Sequence, residues 1–167
     1  MLSPRHLALR TAGPLLSLGR YTPFVMQRLL IEQAMIRLFA EPVADGRFDC
    51  LQDRWLRLEV ADLGLCWYVT LGRLGLRLAE HAAHDLVIRG NWREFLLLAS
   101  RHEDPDTLFF RRRLIIEGDT ELGLEVKNAI DSLDPDDLPP RLWQILRWLG
   151  TEVACEKRAA GSPGLKE

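Results

Sequence analysis

Two hydrophobic periods alternate along this sequence. Phe24 to Ala40 runs without glycine or proline, with Thr22 and Pro23 supplying a start and Pro42 a stop, so the pattern predicts a helix. Its polar positions, Arg28, Glu32, Gln33 and Arg37, leave most of the circumference apolar, more than a single buried face requires. The period then shortens to two. Trp55–Val60, Leu65–Leu71 and Arg73–Ala79 alternate apolar and polar residues, with turn signals at Asp62–Gly64 and Gly72, which predicts an antiparallel meander. Leu56, Leu58 and Val60 share a face opposite Arg57 and Glu59, and Leu74, Leu76 and Leu78 one opposite Arg73, Gly75 and Arg77. The middle strand sets Leu65, Trp67, Val69 and Leu71 against Cys66, Tyr68 and Thr70, a pattern suited to the sheet interior.

Beyond the meander the two periods interleave. Asp85–Arg89 reads as a fourth strand, and Asn91 with Glu94 as a capping box opening a helix through Ala99 that stops before Pro105. Arg113–Glu117 reads as a fifth strand. Asp119 or Thr120 caps a helix with Leu122, Val126, Ala129, Ile130 and Leu133 on one side, ended by Asp134 and Pro135. The last helix starts at Pro139 and Pro140 and aligns Leu142, Ile145, Leu146, Leu149 and Val153, flanked by Trp143 and Trp148. The sum is an α+β fold: a five-stranded, mostly antiparallel sheet covered by helices. It divides into a basic amphipathic segment at 1–21, a body at 22–157 and a flexible tail at 158–167.

A chain of 167 residues with 47% apolar and 28% charged residues builds one core without a metal or disulfide. The net charge of -2 argues against a protein that neutralises nucleic-acid phosphates. The distribution changes the picture: residues 1–31 hold Arg5, Arg10, Arg20 and Arg28 and no acid, so a basic, leucine-rich start precedes an acidic body. With Leu15 and Leu16 beside Arg5, Arg10 and Arg20, the start suits contact with an anionic membrane surface, the alternative being packing on the first helix. Cys50, Cys66 and Cys155 are an odd number without paired spacing, as in a reducing cytosol. Arg10 and Pro14 interrupt the first apolar run, so neither a secretory signal nor a membrane span is expected, and the chain reads as cytoplasmic and peripheral at the membrane.

Catalytic patterns are missing. There is no G-x-S-x-G, P-loop or G-x-G-x-x-G. His81, His84 and Asp85 lie between two strands rather than on a helix, and Glu103, Asp104 and Asp106 surround Pro105 as a helix stop and turn, so neither a metal site nor general acid–base chemistry is expected. Arg111, Arg112 and Arg113 follow Leu108–Phe110 and precede Leu114–Ile116. Guanidinium groups at the rim of an apolar pocket suit an anionic head group, against the alternative of salt bridges to neighbouring acids.

The stretch DPDTLFFRRRLIIEGDTELGLEVKNAID at 104–131, with TPFVMQRLLIEQ at 22–33 and GRFDCLQDRWLRLEV at 46–60, resembles the UbiT family, bacterial accessory factors of ubiquinone biosynthesis with a sterol carrier protein type two (SCP-2) fold. The resemblance covers about four-fifths of the chain. It implies a five-stranded sheet and helices enclosing an apolar lipid tunnel. It also implies a non-catalytic carrier without cofactor, whose cargo is an isoprenoid quinone precursor or phospholipid and whose partners are the UbiU and UbiV proteins in oxygen-independent ubiquinone synthesis. No nucleic acid is implied. The wall of such a tunnel is expected from Leu56, Leu58, Trp67, Val69, Leu76, Phe109, Phe110, Leu114 and Ile116, with Ile145 and Leu149 as a lid. Every one of them also suits an ordinary core. A phospholipid-binding protein gripping phosphate through Arg111–Arg113, or an interaction module docking through the Trp143 and Trp148 helix, remain as alternatives.

Overall fold

The computed structural model describes residues 21–134 and 139–160, with side chains through Glu156. Five strands, β1 (Leu56–Val60), β2 (Leu65–Gly72), β3 (Gly75–Ala79), β4 (Leu86–Gly90) and β5 (Leu114–Gly118), form one sheet in the order β3-β2-β1-β4-β5. β1 runs antiparallel to β2 with Leu56 opposite Val69 and Leu58 opposite Trp67, and β2 pairs β3 with Val69 opposite Leu78. The chain then returns past the hairpin, so β4 lies parallel to β1 with Leu56 beside Leu86, and β5 closes the far edge antiparallel to β4. These registers put Leu56, Leu58, Trp67, Val69, Leu76 and Leu78 on one face, whereas Leu74, expected with them, lies in the β2–β3 turn.

That face is the core. Leu56, Val69, Leu76, Leu78, Leu86 and Ile88 are buried together with Leu122, Val126 and Ala129 of α5 (Thr120–Asp131), the helix laid across them. Asp119 caps α5 by accepting the amide hydrogens of Glu121 (2.9 Å) and Leu122 (3.0 Å), and those amides with Arg54 hold its carboxyl below the ordinary range. The opposite face is polar: Glu59 pairs with both Arg57 (2.9 Å) and Arg89 (3.1 Å). Gly118 (φ 113°) ends β5 where the chain passes against the Asp85 carbonyl, too close for any Cβ.

Two further helices cover the core face at its margins. α1 (Phe24–Leu38) packs Phe24, Ile31 and Met35 on it, continues after Phe39 as the short α2 (Ala40–Ala44), and ties Gln27 to the indole of Trp67 (3.1 Å). α3 (Trp92–Ala99) contributes Phe95. α6 (Pro140–Ala160) instead packs on α3, where Leu97 and Val153 form a separate cluster with Trp92, Leu96, Leu149 and Ala154. Gly150 lets the two helices approach, since a Cβ there would overlap the Ser100 side chain.

The structure corrects several local expectations. Thr22 does not cap α1, whose N-cap is Pro23 without a side-chain bond. Asn91 makes no side-chain cap either, and Glu94 turns away toward Arg113; the Trp92 amide is taken by Asp62 instead (3.0 Å). β3 begins at Gly75, two residues late, because Gly72 to Gly75 close the hairpin and leave Leu74 at 88% exposure. Pro105 opens a helix rather than only ending one: α4 (Pro105–Phe110) is capped by Asp104, which accepts the Thr107 amide hydrogen (2.8 Å). α6 runs through Ala160, so residues 158–160 of the expected tail are helical, and the rest of that tail lies outside the described residues.

Candidate functional site

The apolar sheet face is the element around which any ligand site must be built. Of the expected wall residues, Leu56, Val69 and Leu76 are buried in the main core, and Leu58, Trp67 and Ile116 pack partly buried against it. Leu114, buried on β5, continues the same row by pairing with Gly90. The remaining four fall elsewhere. Phe109 borders a recess at the sheet edge, while Phe110 is 87% exposed on the outer side of α4. Ile145 is 54% exposed and Leu149 belongs to the α3–α6 cluster, so α6 does not lid the sheet face. The helical stripe of α6 was legible; the partner it faces was not.

Two recesses flank this face, and both open to solvent rather than closing into a channel. The first, about 840 Å3, lies between α1 and the β2–β3 hairpin, with Ile36, Trp55, Leu71, Leu74 and Leu76 as its apolar border and Arg28, Arg73 and Arg77 among its polar one. The second, about 610 Å3, follows the β5 edge, bordered by Phe109, Ile115, Ile116 and Leu124 with Arg112 at one side. Both volumes fall in the range of about 300–1,000 Å3 common for small-molecule sites. Ile36, Leu71 and Leu74 were not anticipated as border residues. The signal available for Leu74 was its position in Gly72-Arg-Leu-Gly75, a turn tip rather than a strand.

The three consecutive arginines have separate fates, because they leave the end of α4 in a turn instead of entering a strand. Arg111 and Arg112 are exposed, and Arg112 adopts φ 54°. Arg113 folds back between two acids: its Nε donates to Glu94 (2.7 Å), and its Nη1 donates to Glu103. Glu94 is 8% exposed. Burial pushes its carboxyl up, against the opposing pull of Arg113. Arg113 therefore ties the α3–α4 connection to β5, the salt-bridge alternative for that position, and leaves Arg111 and Arg112 as the exposed cations of the group.

The other candidate groups are occupied structurally. Asp85 accepts the Trp55 amide hydrogen (2.8 Å) at the start of the β1–β4 pairing, and His81 and His84 pack around the Tyr68 ring, with centroids 6.4 and 5.8 Å away. Asp104 is the α4 cap, and Asp106 holds Lys127 (2.6 Å). Among the described residues no cluster of three or more His, Cys, Asp or Glu is placed to hold a metal, and no helix is long and apolar enough to cross a membrane. The expected membrane-contact residues Arg5, Arg10, Leu15, Leu16 and Arg20 lie outside the described residues.

Comparison with known proteins bears on this geometry at three levels. Residues 31–131 match the SCP-2 sterol transfer family. The chain is 37% identical over 141 residues to the ubiquinone biosynthesis accessory factor UbiT of Escherichia coli K12, covering 84% of this chain and 81% of that protein, and equally similar to its counterpart in Escherichia coli O157:H7. Among solved structures, a UbiJ-SCP2 ubiquinone synthesis protein superposes with a TM-score of 0.55 at 16% identity, covering 67% of this chain and 100% of that one. That likeness supports the fold.

Proposed function

Since this chain belongs to the UbiT family of ubiquinone biosynthesis accessory factors and carries the family's SCP-2 lipid-binding domain, we propose that it holds isoprenoid quinone precursors against the apolar sheet face and presents them without performing chemistry on them. The observation that carries this reading is the recess of about 840 Å3 beside α1, which leads onto Leu71 and Leu76 of the core face. The helix above it is lightly held: none of the fifteen residues of α1 is fully buried. Each methylene of a polyprenyl tail moved from water onto such a surface contributes about 0.8 kcal/mol, so a modest displacement of α1 is offset by a few isoprene units. Cargo of this kind, held for oxygen-independent synthesis with UbiU and UbiV as partners, needs no cofactor or metal on the carrier.

The test is displacement of a fluorescent fatty acid by a prenylphenol. Wild-type protein is expected to bind and release the probe competitively, and Leu71→Glu to weaken prenylphenol binding by about tenfold or more, since a carboxylate at an apolar wall costs more than 1.4 kcal/mol. Leu124→Gln, at the other recess and 56% exposed, should leave it unchanged. Wild-type protein that binds neither compound would overturn the carrier reading. A second reading rests on the β5 recess, where exposed Arg112 sits at the side of an apolar groove: a phospholipid whose phosphate meets that guanidinium. Arg112→Gln should then weaken phosphatidic acid and spare the neutral prenylphenol.

A further inference from the structure

The two edges of the sheet are finished differently. At β3 the edge is closed: α1 packs along the strand, and Glu32 turns in to accept the Leu78 amide hydrogen (2.6 Å). At β5 it is open. The Asp119 amide donates to the Asp85 carbonyl (2.9 Å), so by the alternation of an antiparallel ladder Glu117 and Ile115 also face β4, while Leu114, Ile116 and Gly118 turn their amides and carbonyls outward. Among the described residues no side chain caps those groups. α5 lies over the face of the sheet rather than its edge, crossing at Gly123, where a Cβ would stand 3.1 Å from Ile116 and 3.4 Å from Leu86. β5 itself, LIIEG, has no proline or lysine, and its register with β4 is unbroken, so it lacks the devices that keep an edge from pairing.

Charge and apolar exposure follow a pattern along this edge. Arg111 and Arg112 are exposed at its start, Glu117 and Glu121 at its end, and among the described residues none of the four has an ion-pair partner. Phe110, 87% exposed, stands at the arginine end and Leu124, 56% exposed, at the acidic end. Ile115 is exposed at the centre.

We propose that β5 pairs with β5 of a second copy of this chain, antiparallel about a two-fold axis at Ile115, joining two sheets into one. The outward groups fix the register. Each must meet a residue whose own groups point outward, which sets Leu114 of one copy opposite Ile116 of the other, with about four backbone hydrogen bonds, and Ile115 opposite Ile115. Centring on Ile116 instead would set Glu117 against Ile115. The charges select a second copy as the occupant, because antiparallel pairing lays the arginine end of each strand along the acidic end of the other. A strand from residues 1–20, with Arg5, Arg10 and Arg20 and no acid, would leave Arg111 and Arg112 facing further cations. The pairing goes beyond the carrier reading and does not rest on it: the recess beside α1 lies at the other edge and stays open, whereas the β5 recess is filled by a strand rather than a phospholipid.

Sedimentation equilibrium of the full chain tests it. Wild-type protein should pass reversibly from one chain to two as its concentration rises from micromolar to millimolar. Ile115→Lys sets two like charges directly opposite each other and should remain a monomer throughout, with an unchanged melting temperature because the position is exposed. Glu117→Arg alone, and Arg111→Glu with Arg112→Glu, should each be monomeric, and an equimolar mixture of the two should recover the dimer, since every arginine end then meets an acidic one. A wild type that stays monomeric over the whole range overturns the proposal, and so does a dimer that I115K leaves intact. A mixture that stays monomeric, although both charge variants melt like wild type, overturns it as well.

Discussion

α1 and α5 lie over the same sheet face and share an apolar composition, yet they are held in different ways. α5 buries Leu122, Gly123, Val126 and Ala129 and has its first turn fixed by Asp119, whereas α1 buries no residue fully and has no side-chain cap. The difference comes from how the apolar positions are distributed around each helix. In α5 they gather on one side, Leu124 excepted, with Glu121, Glu125 and Lys127 outside; in α1 they go round, so that one arc meets the sheet and another is exposed among the described residues. Apolar content therefore does not measure packing. A helix that is apolar all round can serve two neighbours, and the geometry gives α1 the sheet on one side and an exposed patch on the other.

An aspartate placed in each helix should affect the two very differently. Val126→Asp places a carboxylate at a site that is 1% exposed and should remove more than about 4 kcal/mol in urea titrations. Leu29→Asp, at a site 56% exposed, should change stability in urea titrations by less than about 1 kcal/mol. A large loss from Leu29→Asp would mean that α1 is a core helix like α5. Next in size, Leu86→Ala, at the fully buried centre beneath α5, should cost about 3 kcal/mol in the same titrations.

Electrostatic substitutions sharpen the contrast with smaller effects. Arg113→Met should cost about 2 kcal/mol at neutral pH, because it removes the guanidinium that offsets the charge of the buried Glu94. Glu94 titrates upward in the folded state, so its contribution is most favourable below the ordinary carboxylate range and is lost as pH rises; the deficit of Arg113→Met should accordingly shrink on acidification, when Glu94 takes up a proton. Asp119 has the opposite sign: its carboxyl is held low by backbone amides, so its contribution is present above the ordinary value and is lost as pH falls through the lowered one. Asp119→Asn keeps an acceptor at the α5 cap but drops the charge, and should lower the melting temperature slightly at neutral pH with a difference that vanishes in acid.

The strands were legible because their alternation is strict and each apolar row, such as Leu56, Leu58 and Val60, has one face to fill. The cap of α5 was legible for the same kind of reason, since Asp119 follows a glycine that ends a strand. Other features depend on contacts far apart in sequence. Glu94 matches a capping pattern with Asn91, but Arg113, nineteen residues on, competes for it and wins. Pro105 stops one helix and starts another, a double use that a stop signal alone does not reveal. The stripe on α6 faces α3 rather than the sheet, joined there by the Leu97–Val153 cluster and by the close approach of Gly150 to Ser100. The apolar row of the sheet was legible because it lies on strands, whereas the recess beside Ile36 and Leu74 depends on how a hairpin tip meets a helix.

The carrier role requires the apolar face beside α1 to hold an isoprenoid lipid. Native mass spectrometry of protein purified without detergent, followed by organic extraction, tests it most directly. A bound species of one lipid per chain that extracts as a quinone or prenylphenol is the expected result. A bare chain, which also fails to take up either a prenylphenol or phosphatidic acid when they are supplied, would contradict it.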